Sequence, residues 1–365
     1  MTDIPPLERE IRKRIQAAGP MPISEYMALC LGDPAYGYYV TRNPLGASGD
    51  FTTAPEVSQM FGELIGLWMA AVWTQMGSPA NIRLIELGPG RGTLMKDAVR
   101  AMQVMPAFRE AAVIHLVEIS PVLRAQQELT LGGIGMPVYW HNTLAEVPQG
   151  ALIVVANEFF DALPVNQAVK IESGWHERRI GIDADGKLTY TVAPEPMPHA
   201  DIVLPPAARN APLGAIFEWR DERAAMELGR RLADERGTAL VIDYGHAESD
   251  VGETLQAVGR HAYADVLSTP GTVDLTAHVD FQALKRAVEA MGVTGFGPID
   301  QSELLRGLGI ETRAAKLKAR ATPTEASDID LALLRLTGFG RSDMGSLFKA
   351  VAFTHPTIGT PPVFG

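Results

Sequence analysis

Two carboxylates, Glu158 and Asp161, stand three residues apart in the string NEFFDALPV, directly after the wholly apolar run 151–156. Such a pair can bind the N–H groups of a cation as a fork or hold a proton, and the carboxyl end of a buried strand is where open α/β sheets place their ligands. The bland alternative is a capped turn whose aromatics, Phe159 and Phe160, pack inward. A second concentration of chemistry lies upstream in IRLIELGPGRGT, residues 82–93, where an apolar run leads into Gly88, Gly90 and Gly92. Glycines there let the chain turn tightly, approach a ligand closely and present helix N-terminal amides to it. A plain strand-to-helix turn explains some strings of this kind.

Spacing and one carboxylate separate the candidate ligands. The dinucleotide fingerprint is G-x-G-x-x-G, whereas this turn reads G-x-G-x-G with Thr93 where the third fingerprint glycine would fall. Glu86, two residues before the first glycine, is badly placed beside a pyrophosphate and well placed beside a cationic amino group. S-adenosylmethionine carries an ammonium and a sulfonium. Glu118 ends the next apolar run, 112–117, where a carboxylate commonly meets a ribose diol, its plainer reading being a solvated strand end. The turn after a third strand carries Asn142 and Thr143, whose amide and backbone groups suit the edge of an adenine. The loop at 48–53, with Gly49, Thr52 and Thr53, precedes a helix and suits a carboxylate, although capping alone would account for Thr53. Asn157, heading the acidic string, completes the set of expected cofactor contacts.

These residues need a scaffold. Strands are expected at 82–87, 112–117, 137–140, 151–156, 238–242, 293–296 and, as an edge, 348–354; a helix follows the glycine turn over 93–105. Thr53 to Glu56 matches a capping box, and Val57, Phe61, Leu64, Trp68 and Val72 repeat at helical spacing behind it. Residues 1–80 read as a helical segment with a cofactor-side loop, 81–166 as the first part of the core and 167–220, rich in proline and short alternating runs, as a β-rich insertion. Residues 221–365 read as the second part of the core with a helical insertion, interrupted around 321–326.

Composition narrows the partners. A chain of 365 residues with 46% hydrophobic side chains can bury a substantial core, and its net charge of −11 opposes general binding to nucleic acid or anionic membrane. No apolar run is long enough for a membrane-spanning helix. Cys30 is the single cysteine, which excludes an intrachain disulfide and suits a reducing compartment. The acidic and basic opening MTDIPPLEREIRKRIQ has neither the apolar centre of a signal peptide nor the acid-poor character of a transit peptide, so a cytoplasmic protein is expected. His141, His246, His278 and His355 form no ligand pair at helical or turn spacing, and no metal site is expected.

Taken together, GDFTTAPEVSQMFGE, IELGPGRGTLMKD, HLVEISP, NEFFDALPV, VIDYGH and LTAHVDF resemble a family of class I S-adenosylmethionine-dependent methyltransferases. That family includes a mitochondrial arginine methyltransferase required for respiratory complex I assembly. The resemblance implies a Rossmann-like α/β fold whose seven-stranded sheet has an antiparallel last strand, with N-terminal helices and insertions. It implies S-adenosylmethionine as cofactor, Glu86 at its methionine end, Gly88, Gly90 and Gly92 as its turn, Glu118 at its ribose, and Thr52 and Thr53 in an N-terminal cofactor segment. It also implies a protein arginine as acceptor, in a complex I subunit for the mitochondrial member. A small-molecule methyltransferase and a cofactor-stabilised assembly scaffold stay open as alternatives.

Overall fold

Apolar, β-branched runs that bury both faces are the natural strands of a parallel sheet. In the computed structural model, which describes residues 4–41, 53–200, 204–259 and 262–365, they form the central sheet. Its strands are β1 (Ile82–Leu87), β2 (Ala112–Val117), β3 (Val138–His141), β4 (Leu152–Asn157), β5 (Thr238–His246), β6 (Thr294–Asp300) and β7 (Phe348–Thr354). They lie in the order β6-β7-β5-β4-β1-β2-β3, and the two-residue strand Val279–Asp280 adds in parallel to the end of β5. β7 runs antiparallel to both β5 and β6, while the pairings among β1 to β5 are parallel. This is the expected seven-stranded class I arrangement.

β7 corrects one expectation. It is not an edge but lies between β5 and β6, with every residue except Lys349 buried. Its polar residue suggested a solvent-facing side, yet Lys349 faces Asp300 across the ladder and its Nζ donates to Asp300 Oδ1 at 2.6 Å. A paired cation can occupy an inner strand where an unpaired one would not.

The expected capping box at Thr53 is a second correction. Thr53 makes no side-chain cap bond to the single turn Ala54–Val57; the long buried helix begins only at Gln59, capped by Ser58 Oγ accepting from Met60 N at 3.2 Å. Glu56 turns instead toward the glycine loop. The capping box that does form, Thr322 with Glu325, opens the helix Pro323–Thr337 inside the region read as an interruption.

Helices cover both faces of the sheet. Gln59–Gln75 packs beside the cofactor-turn helix Thr93–Met102, which ends three residues short of its expected limit. Buried Glu63 joins them, accepting from Arg100 Nε at 3.1 Å and from Arg313 Nε of the helix Ile310–Lys318 at 2.6 Å. Between β4 and β5 the chain forms a second sheet, Gly174–Ile182, Val165–Ile171 and Ile216–Arg220 in order, with Leu188–Pro196 added to Gly174–Ile182; Met21–Pro22 from the N-terminal segment joins its edge beside Gly174–Ile182. A third, three-stranded sheet includes Asp274–Thr276. Helices Pro6–Ala18 and Ile23–Gly32 pack with both inserted sheets in one apolar cluster. Among the described residues, no helix is long and apolar enough to cross a membrane.

Candidate active site

The chain leaves β1 toward β2 and β3 on one side and reaches β4 and β5 on the other, so a crevice opens where the strand order reverses. A cavity of about 390 Å³ occupies that position. Its wall includes Thr53, Glu86, Gly88, Gly90, Glu118, Asn157, Glu158 and Asp161. The strand order places Glu118, the glycine turn, Glu158 and Tyr244 successively across the sheet, spanning three inter-strand spacings, roughly 14 Å.

Gly88 shows why the turn requires glycine. Its φ is +64°, and a Cβ there would stand 3.0 Å from Phe159 Cδ2. Any side chain would be strained and would press on the acidic loop. Gly92 has φ +79° as the N-cap of Thr93–Met102, but it faces Gln127 and Leu131 and is not on the cavity wall. Glu56, also on the wall, braces the turn: its Oε1 accepts from Thr93 Oγ1 at 2.5 Å and its Oε2 pairs with Arg91 Nη1 at 3.4 Å.

Glu86 is 3% exposed, and its Oε2 is buried with no hydrogen-bond partner. Burial pushes its pKa up to about 8. Asn157 Oδ1 is likewise buried and unpartnered. Two orphaned acceptors on one cavity wall suit an ammonium, which has donors and no acceptor.

Glu118 is 8% exposed, with Oε1 accepting from Ser120 N at 2.8 Å and Oε2 from Gln127 Nε2 at 3.2 Å. Burial raises its pKa, against the pull of the Ser120 amide and Gln127. Gln127 also donates to Gly90 O at 2.8 Å, coupling the carboxylate to the glycine turn. Ile119, 60% exposed, offers an apolar surface beside it on the wall. Replacement of Glu118 by Ala is expected to weaken S-adenosylmethionine binding by about 1 to 3 kcal/mol, the scale of a lost buried polar contact. Titration calorimetry measures this, and an unchanged affinity would remove Glu118 from the cofactor site.

Beyond β4 the chain turns sharply. Glu158 adopts φ +52° while its N–H donates to Ile242 O at 2.9 Å. Its Oε1 accepts from Ala54 N at 3.2 Å and Asn157 Nδ2 at 3.1 Å. Burial, then repulsion from Asp161, pushes its pKa up to about 8. Asp161, 5% exposed, bonds the Tyr244 hydroxyl and keeps Oδ1 buried without a partner. Burial raises its pKa, opposed first by the Tyr244 bond.

Two supports of this loop escaped sequence reasoning. Asp243 Oδ2 accepts from three successive amides, Phe159 N at 3.2 Å, Phe160 N at 2.9 Å and Asp161 N at 3.2 Å, and its Oδ1 from Tyr244 N at 2.9 Å. Arg220 donates to the carbonyls of Leu163, His278, Asp161 and Ala277 at 3.1, 2.8, 3.2 and 2.6 Å. Asp243 directly follows the expected strand 238–242 and Arg220 ends the segment read as a β-rich insertion, but their spacing carries no sign of these partners. Tyr39, Tyr244, Asp274 and Thr276 also line the cavity.

The remaining expected contacts are not gathered here. Asn142 and Thr143 are exposed and off the wall; Asn142 Oδ1 accepts from Arg124 Nη2 at 2.9 Å and its N–H donates to Glu146 Oε2 at 2.8 Å. Gly49 and Thr52 lie outside the described residues. Among the described residues no group of His, Cys, Asp or Glu is arranged to hold a metal.

Comparison with known proteins adds to this geometry. Residues 64–299 match a family model described as "Putative S-adenosyl-L-methionine-dependent methyltransferase". The chain is 37% identical over 339 residues to the Homo sapiens mitochondrial protein arginine methyltransferase NDUFAF7, covering 85% of this chain and 75% of that one. It is 36% identical over 345 residues to the Danio rerio protein of the same name, covering 87% and 79%. A crystal structure of a Burkholderia thailandensis protein bound to S-adenosyl-homocysteine superposes with a TM-score of 0.85 at 30% identity, covering 98% of this chain and 94% of that one. The expectation of a cytoplasmic protein is overturned by these relatives, whose names place them in mitochondria.

Proposed function

Since the chain belongs to the family of S-adenosyl-L-methionine-dependent methyltransferases, we propose that the methyl acceptor at this site is an arginine side chain of a protein, delivered to Glu158 and Asp161. The bound cofactor supplies an electrophilic methyl group on its sulfonium. Glu86 and Asn157 hold its ammonium, Gly88 and Gly90 give it room, and Glu118 takes the ribose. We also propose Thr53, at the end of the N-terminal segment, as a cofactor contact.

The observation that carries the arginine reading is a surplus of negative charge. Among the described residues, six carboxylates and one guanidinium line the cavity. Glu86 and Glu118 serve the cofactor, and Glu56 is paired with Arg91. Glu158, Asp161 and Asp274 remain; Asp274 Oδ2 accepts from the Tyr39 hydroxyl, and Asp161 Oδ1 has no partner. Ionising them together in a buried wall is costly unless a cation arrives. A guanidinium satisfies them with N–H donors in a fixed plane and stays charged in solution. Held by carboxylates on its other N–H groups, it is fixed in plane; the free nitrogen takes the methyl as the S–CH3 bond breaks, leaving a neutral thioether, and the N–H proton it gives up passes to a wall carboxylate such as Glu158. Alignment of this kind supplies several kcal/mol of a displacement barrier.

The curated relatives are named protein arginine methyltransferases, which supports the same acceptor. By resemblance, the acceptor protein belongs to respiratory complex I. Incubating the purified protein with isotopically labelled S-adenosylmethionine and mitochondrial lysate tests both statements. Mass spectrometry is expected to find the label on arginine of a complex I subunit; label confined to small molecules would overturn the reading.

A further inference from the structure

Three separate segments of the chain send polar side chains to the cavity. The segment Tyr38–Thr41 brings Tyr39, the three-stranded sheet brings Asp274, and the loop after β4 brings Asp161. The Tyr39 hydroxyl donates to Asp274 Oδ2 at 2.8 Å. Each partner is anchored through its backbone. Ser120 Oγ donates to Tyr39 O at 2.6 Å, tying it to the segment that carries Glu118, and Asp274 pairs with Val258 in its sheet. Burial, with the negative charges of Asp274 and Asp161, keeps the Tyr39 phenol protonated and therefore a donor. Tyr244 links Asp161 to Thr276, two residues from Asp274.

We infer that Tyr39 and Asp274 form, with Asp161, a second arm of the acceptor site that makes it selective for a guanidinium over an ammonium. The inference rests on the arginine reading above and extends it to residues outside the acidic loop. Asp161 Oδ1 points to a ligand independently of the charge count, because it is a buried acceptor on the wall without a partner. An ammonium is a compact, strongly hydrated point charge that one carboxylate satisfies. A guanidinium directs five N–H donors along a plane, so carboxylates on separate elements address different edges of it at once. Tyr39 contributes by fixing Asp274: with its hydroxyl donating to Oδ2, the carboxylate is held in one orientation on the cavity wall.

The test uses labelled S-adenosylmethionine and two degenerate peptide pools, each with one fixed central residue, arginine or lysine, and neither residue elsewhere. The wild-type protein is expected to label the arginine pool and to leave the lysine pool at least about tenfold behind. Tyr39→Phe and Asp274→Asn are expected to raise KM for the arginine pool about tenfold and to narrow the preference for arginine over lysine. Both should bind S-adenosyl-homocysteine within about twofold of wild type, a readout that general unfolding would move. Wild-type protein that labels neither pool would overturn the arginine reading and this inference with it. If wild type labels the arginine pool and the two variants keep its KM and its preference, this inference alone falls.

Discussion

Glu158→Gln is expected to bind S-adenosylmethionine with wild-type affinity and to transfer methyl to a protein arginine at least about a hundredfold more slowly, the effect of breaking one partner of a buried charge pair. The substitution is close to isosteric. The Gln carbonyl oxygen can accept from Ala54 N and Asn157 Nδ2 as Glu158 Oε1 does, so the loop keeps its supports. What changes is the other atom, an acceptor of N–H bonds that becomes a donor facing the cationic acceptor. Single-turnover kinetics separates the outcomes: undiminished transfer would remove Glu158 from the mechanism and favour a small-molecule acceptor.

The same residue sets a pH dependence. Its pKa of about 8, raised from the usual carboxylate range, means that the cofactor-free site holds Glu158 largely protonated at neutral pH. In the mechanism we propose, Glu158 works as the anion, so kcat/KM for the acceptor should rise with pH toward a plateau. The sulfonium and ammonium of bound cofactor favour the anion and shift that rise to below about 8. For stability the sign is opposite. A carboxyl group whose folded pKa is raised stabilises the fold most at low pH, and that contribution is lost as pH climbs to about 8, for Glu86 as for Glu158.

The parts of this site legible in the sequence are those that end strands. Glu86, Gly88, Glu118, Asn157 and Glu158 each close or directly follow an apolar run, and a parallel sheet brings such ends together whatever the rest of the chain does. β1, β2, β4 and β5 were readable for the same reason, since β-branched runs buried on both faces have few other uses. β7 was misplaced because a lysine within it looks like a solvent-facing residue until its partner Asp300, 49 positions away, is known. Tyr39 and Asp274 could not be paired from sequence at all, because 235 positions separate them and neither lies in a periodic pattern. Asn142 and Thr143 form a turn whose exposure, off the cavity wall, the sequence could not show.

Asp243 is the residue whose loss should cost the protein most. It is fully buried, and one oxygen holds three consecutive amides of the acidic loop while the other holds Tyr244 N. Burial and the charges of Asp161 and Glu158 push its pKa up; the amide bond from Asp161 and the Arg220 guanidinium act against that rise. Both oxygens are acceptors in this cradle, and no side chain from outside could replace them. Asp243→Ala would leave the three loop amides without their acceptor beside Arg220, so a loss of about 3 to 5 kcal/mol is expected. The strained backbone of Glu158, at φ +52°, would no longer be over-determined and should relax, taking the carboxylate out of line. Asp243→Asn separates stability from alignment. Its oxygen can still accept the loop amides, but its NH2 would meet the N–H of Tyr244, so we expect a folded protein with cofactor bound and methyl transfer slowed by about tenfold or more. Urea denaturation of the alanine variant and single-turnover transfer by the asparagine variant measure the two effects. Wild-type stability in the first together with wild-type transfer in the second would show that Asp243 neither holds the loop nor positions Glu158.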